Sequence, residues 1–164
     1  MKKILCLIFT LISGLSVFAQ EADTTAHEGF AFPIKSKVTI KLIPVDSVNF
    51  HYKVLKVEPF NETPDVSDKA CLPASLEENT LEFVFCVGTM GDRQKGNGKN
   101  LKTLLFIKHG LKFALEYNAD IQCPNVPEFK NTSVMALFPN VPSTEIWPYP
   151  IEQIALYGFK KTKF

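Results

Sequence analysis

The residues best suited to build a site are the aromatic pair in Trp147-Pro148-Tyr149-Pro150, preceded by Phe138-Pro139-Asn140-Val141-Pro142. Proline locks φ and stiffens the chain. A stiff loop can therefore hold Trp147 and Tyr149 at the surface, where flat rings stack on sugars or anchor a protein partner. The more ordinary alternative is that Trp147, the single tryptophan, folds back to plug one end of the domain. Trp147→Ala separates the two readings: it removes binding and spares the fold in the first, and unfolds the protein in the second.

Other reactive side chains do not assemble into a motif. Cys71 and Cys123 both lie in proline-containing loops and form the expected disulfide in an oxidising compartment, while Cys86, inside Leu81-Glu82-Phe83-Val84-Phe85-Cys86-Val87, reads as a buried thiol. No two cysteines have metal-ligand spacing and no histidine pair supports them, so neither a metal nor another cofactor is expected. His27, His51 and His109 fall in a leader, a strand and a turn. Pairing Cys86 with His51 as a nucleophile would need a reactive thiol in a buried strand, where thiols are normally inert. Neither a Gly-x-Ser-x-Gly elbow nor a His-Glu-x-x-His pair occurs. The loop Gly91 to Asn100 is rich in Gly, Lys and Asn but lacks the phosphate-loop spacing. Asp65-Val66-Ser67-Asp68 lacks the twelve-residue calcium pattern. Asn61-Glu62-Thr63 and Asn131-Thr132-Ser133 match the glycosylation acceptor pattern, which a bacterial-type leader leaves unused.

The elements that must position these residues begin with an address. Met1-Lys2-Lys3 followed by an apolar run to Phe18 and Ala19 reads as a secretory signal peptide over residues 1–19. The run is too short and interrupted for a membrane anchor, so no transmembrane segment is expected in the mature chain. The chain carries 18 Lys+Arg and 17 Asp+Glu, and losing Lys2 and Lys3 leaves 16 against 17. That balance argues against a nucleic-acid partner, which requires a concentrated basic face.

Residues 20–32 read as a disordered leader and 33–164 as one domain. Residues 35–45 alternate, with Val38, Ile40 and Leu42 opposite Lys37, Thr39 and Lys41, which is the period of a strand wet on one face. Val48, Phe50, Tyr52, Val54 and Lys56 share a face of the next run, and Asp46-Ser47 makes the pair a hairpin. Residues 58–79 are irregular, with one helical turn expected from Pro73 to Glu78. Residues 80–90 are apolar on both faces, as in a covered central strand. His109-Gly110 between two apolar runs predicts a hairpin over 101–117, with Gly110 at positive φ. A strand follows at 133–138, and a last one at 151–160 turns Ile154, Leu156 and Phe159 inward. About seven strands in proline-rich loops predict an all-β antiparallel sandwich of immunoglobulin-like size. An outer-membrane barrel is disfavoured by Lys160, Lys161 and Lys163 beside the terminal Phe164.

The expectation for function is a secreted, non-enzymatic binding or structural module of the bacterial cell envelope, periplasmic or extracellular. Its partner would be a glycan or an envelope protein, met through Trp147 and Tyr149. The alternatives are a secreted hydrolase with carboxylates assembled from separate strands, or a subunit of an envelope assembly.

Overall fold

The computed structural model describes residues 29–91 and 100–163. The expected signal peptide, His27 and most of the Gly91–Asn100 loop lie outside the described residues. Among the described residues nine strands run in chain order: β1 (Gly29–Pro33), β2 (Ser36–Pro44), β3 (Asn49–Pro59), β4 (Thr80–Thr89), β5 (Leu101–His109), β6 (Ala114–Gln122), β7 (Lys130–Thr132), β8 (Ser143–Trp147) and β9 (Gln153–Thr162). Gly29 to Phe32, read from sequence as leader, belong to β1 instead, because β9 offers them an antiparallel edge from Tyr157 to Ile154. Among the described residues there is no helix, including at Pro73 to Glu78, and none long and apolar enough to cross a membrane.

The all-β, antiparallel class is as expected, but the layering differs from a two-sheet sandwich. All strands belong to one sheet in the order β7-β6-β9-β3-β2-β4-β5-β8, with β1 beside β9. This sheet curls into a half-barrel. Its concave side holds the main core, including Val38, Ile40, Leu42, Tyr52, Phe83, Phe85, Leu105, Ile107, Leu156 and Phe159.

Two bulges keep that core apolar. Between Thr39↔Lys56 and Ile40↔Val54 the register skips Leu55. Strict alternation would have put Lys56 on the same face as Val54. The extra residue turns Lys56 outward, where it pairs with Glu58 at 2.9 Å. On β9 the register shifts opposite Glu116 to Asn118, next to Gly158 at φ 63°. Glycine takes this left-handed conformation without a Cβ clash. The shift explains why the inward set passes from Ile154 and Leu156 to Phe159, which are all at most 1 % exposed.

The β2–β3 hairpin forms where the alternation places it. Asp46 Oδ1 accepts from the Val48 and Asn49 amides at 2.7 and 2.8 Å, an Asx turn that closes it. Asn49 Nδ2 also donates to Asp46 Oδ2 at 2.8 Å, and this bond leads the contacts that hold the Asp46 carboxyl below its ordinary value.

The expected 101–117 hairpin does not form. β5 pairs with β4 and β8, whereas β6 pairs with β9 and β7. The connection between them crosses from one side of the curl to the other. Gly110 is needed there for close approach rather than for positive φ: a Cβ would sit 2.4 Å from the Glu77 carbonyl oxygen. Gly110→Ala should therefore cost about 1–3 kcal/mol by overpacking, read as a lowered Tm; an unchanged Tm would mean that the 77–80 turn yields freely.

His109, at the same crossing, is fully buried. Its Nδ1 accepts from the Leu111 amide at 3.2 Å, so the proton resides on Nε2. Nε2 is buried without a hydrogen-bond partner. Burial pushes the His109 pKa below 6.5, the Leu137 carbonyl opposing it. The unfolded chain then binds the extra proton first, so stability is full above pH 6.5 and falls as the pH drops towards the lowered folded value. The slope contributed is at most about 1.4 kcal/mol per pH unit. Denaturant titrations at pH 8 and 5.5 should show this difference in the wild type and a smaller one in His109→Gln; equal differences would remove His109 as its source.

Residues 60–79 form a strap across the convex face of β4 and β5. Phe60 and Leu72 pack there against Val84, Cys86, Leu104 and Phe106, a second small core. This cover is why β4 is apolar on both faces. The strap has little strand pairing of its own, so lysines satisfy several of its carbonyls. Lys108 Nζ donates to Pro73 and Ala74 at 3.1 and 2.6 Å, and Lys37 Nζ donates to Cys71 at 3.1 Å while pairing with Glu82 at 2.9 Å. Lys69 Nζ donates to the Val66 carbonyl and Thr144 Oγ1 and lies 5.0 Å from the centre of the Phe106 ring.

Candidate functional site

The terminal strands of the sheet, β7 and β8, come back together through side chains. Trp147 Nε1 donates to Thr132 Oγ1 at 3.0 Å. Glu145 Oε1 accepts from the Met135 amide at 2.8 Å, and Leu115 and Leu137 exchange backbone bonds at 2.9 and 2.8 Å. Residues 133–138, expected as a strand, instead bridge this gap with only that one isolated pairing. β7 pairs only with Ala119 to Ile121 of β6, and Leu137 meets the same strand further along, at Leu115.

Trp147 and Tyr149 therefore have different surroundings. Trp147 is 5 % exposed and belongs to the main core. Tyr149 is 43 % exposed. Thr103 Oγ1 donates to the Tyr149 carbonyl at 2.8 Å, which fixes the backbone under the ring. Alternation explains the split at its start: on β8, Glu145 and Trp147 face one way and the exposed Ile146 the other, and the proline-flanked turn then leaves Tyr149 outside.

Tyr149 lines a cleft of about 230 Å³ together with Ile121, Cys123, Val126, Glu128, Lys130, Asn131 and Thr132. The loop after β6 is closed by Gln122 Nε2 donating to the Pro127 carbonyl at 2.8 Å. Asn131 Nδ2 donates to the Ala119 carbonyl and Asp120 Oδ1 at 3.3 and 3.1 Å, and Tyr157 Oη donates to the same Asp120 oxygen at 3.0 Å. The short strand β7 and the loop before it thus bring the Asn131 amide, the Lys130 ammonium and the Glu128 carboxylate beside one aromatic ring. Such a set can stack on one face of a polar ring and hydrogen-bond its rim.

The remaining residues singled out by sequence lie apart. Cys123 is at this cleft, Cys71 on the strap, and both are free thiols in the structure, as is Cys86. Cys71 and Cys123, the pair expected from sequence, lie at different places in the fold, the small core under the strap and the Tyr149 cleft. His51 is on β3 and His109 at the crossing. Asp65 is already engaged: its carboxylate accepts from Ser67 N and Oγ, Thr89 Oγ1 and Gly91 N, the Ser67 hydroxyl leading the contacts that bring it down to about 2. Among the described residues no group of three or more His, Cys, Asp or Glu could hold a metal ion.

Two features were not foreseen from sequence. Isolated surface charges such as Lys130 and Glu128 carry no sequence pattern, and Asn131 stands out in the sequence only as part of a glycosylation acceptor pattern. The half-buried Glu145, whose carboxyl burial holds above its ordinary range, sits where it raises the buried Tyr117 hydroxyl further. Only the return of β8 towards β6 brings these two together. Comparison with protein-family models, with curated proteins and with solved structures finds no match.

Proposed function

We propose that this protein is a non-catalytic binding or structural module of the bacterial cell envelope that engages a glycan at the Tyr149 cleft. The supporting observation is the exposed ring of Tyr149, pinned through its backbone, at a cleft bordered by Glu128, Lys130 and Asn131. The inside of the half-barrel is filled by Tyr52, Phe83, Phe85 and Phe159, so a ligand is taken on the outer rim. The reading Met1 to Ala19 as a secretory leader supplies the compartment; N-terminal sequencing of protein from fractionated cells, beginning at Gln20 in the envelope or medium, tests it.

Binding of soluble polysaccharides by calorimetry tests the site. Tyr149→Ala should weaken the responding glycan about tenfold or more, the loss typical of a truncated aromatic anchor, with Tm unchanged. A panel without any saturable binding, or undiminished binding by the variant, would sink the proposal.

A second reading, a subunit of an envelope assembly, draws on Phe129, Met135, Phe138, Val141 and Ile146, which are all exposed on the same 123–150 stretch. Co-purification of a stoichiometric envelope protein that is lost in Ile146→Asp would favour it.

A further inference from the structure

The geometry points to a disulfide between Cys71 and Cys86 that staples the 60–79 strap to the convex face of β4. Cys86 belongs to the small core under the strap, and Cys71 packs against that same cluster. The backbone at Cys71 is held in place by Lys37 Nζ, which donates to its carbonyl at 3.1 Å. Lys37 is the register partner of Val84, and Val84 lies two residues before Cys86 on the same face of β4. The two sulfurs are near enough for the charge of one to disfavour ionisation of the other. Cys123, by contrast, lines the Tyr149 cleft. Of the four cysteines, Cys6 leaves with the leader over residues 1–19. The simplest account of the remaining three in an oxidising compartment, one bond and one thiol, is thus met with Cys123 as the free thiol. The inference rests on the secretory reading of residues 1–19 and not on the glycan reading.

Closure needs a disulfide oxidant of the glutathione type. The Cys71 thiolate attacks one sulfur of oxidised glutathione, which forms a mixed disulfide and releases one glutathione thiolate. Cys86 then gives up its proton and attacks the Cys71 sulfur; the Cys71–Cys86 bond forms and the second glutathione thiolate leaves. Two protons and two electrons depart from the protein, and one oxidised glutathione becomes two reduced. Burial pushes the Cys86 thiol up to about 12 and raises Cys71 as well. Thiolates are scarce once the strap is seated, so the bond is made while the strap is being laid down during folding.

The test is to refold the purified protein in a mixture of oxidised and reduced glutathione and map it by non-reducing digestion, mass spectrometry and thiol labelling. The expected result is a mass lower by two hydrogens, one linked peptide pair carrying Cys71 and Cys86, and label on Cys123. Cys123→Ser keeps the link and accepts no label. Three labelled thiols after refolding, or a link through Cys123, would overturn the proposal. The wild-type map decides the matter even where Cys71→Ser or Cys86→Ser fails to fold.

Discussion

Trp147→Ala should lower the stability of the fold by about 3–5 kcal/mol, a large share of the roughly 5–15 kcal/mol that holds a domain of this kind together. The residue is buried at 5 % exposure, pairs with Thr103 across β5 and β8, and donates to Thr132 on β7. Removing it opens a cavity and unties the two terminal strands of the sheet. Trp147→Phe keeps most of the apolar contact and gives up the hydrogen bond, at about 1 kcal/mol. Unfolding must be followed by circular dichroism, since both variants lack the only tryptophan. An alanine variant as stable as wild type that loses glycan binding would return Trp147 to the surface role that its sequence context suggests.

Tyr52→Ala should be about as costly, roughly 3–5 kcal/mol by analogy with other large aromatic truncations. The Tyr52 ring is completely buried, 5.3 Å from Phe30 and edge-on to Phe159 at 5.4 Å. Its hydroxyl enters the β1–β9 ladder: it accepts from the Phe30 amide at 2.6 Å and donates to the Leu156 carbonyl at 2.9 Å. β3 pairs directly with β9 only at Asn49 and Phe50, so this hydroxyl carries much of the polar connection between β3 and the β1–β9 pair. Tyr52→Phe isolates that role. It removes the acceptor of one buried group and the donor of another, and should cost about 1–3 kcal/mol. Denaturant midpoints give both values; a phenylalanine variant equal to wild type would show that the ladder closes without the hydroxyl.

Several inward sets were legible because alternation is a property of each strand alone. Val38, Ile40 and Leu42, and later Ile154 and Leu156, are buried as the period requires, while Phe159 joins them only through the register shift beside Gly158. The doubly apolar run at 80–90 announced a strand covered on both sides, and β4 is that strand. Lys56 was assigned to the wrong face because a bulge adds a residue without leaving a sequence mark as plain as Gly158. Gly110 misled for a related reason: glycine serves both positive φ and close backbone approach, and one residue type cannot say which is in use.

The site was less legible than the fold. Proline-flanked aromatics signalled a stiff loop but not which ring faces water, since that depends on where β8 lies and what returns to meet it. The cleft residues of β7 come from a three-residue strand without periodicity.

By itself the sequence determined the strand class, the β2–β3 hairpin through its Asp46 turn, and the alternating face that each regular strand buries. Those follow from local periodicity and turn chemistry. The tertiary structure alone decided that β5 and β6 part company, that a lysine-tied strap covers β4, that Trp147 joins the terminal strands and that Cys71 lies by Cys86. Each of these depends on how a whole sheet curls back on itself, and the contacts that set the curl join residues as far apart as Tyr52 and Leu156.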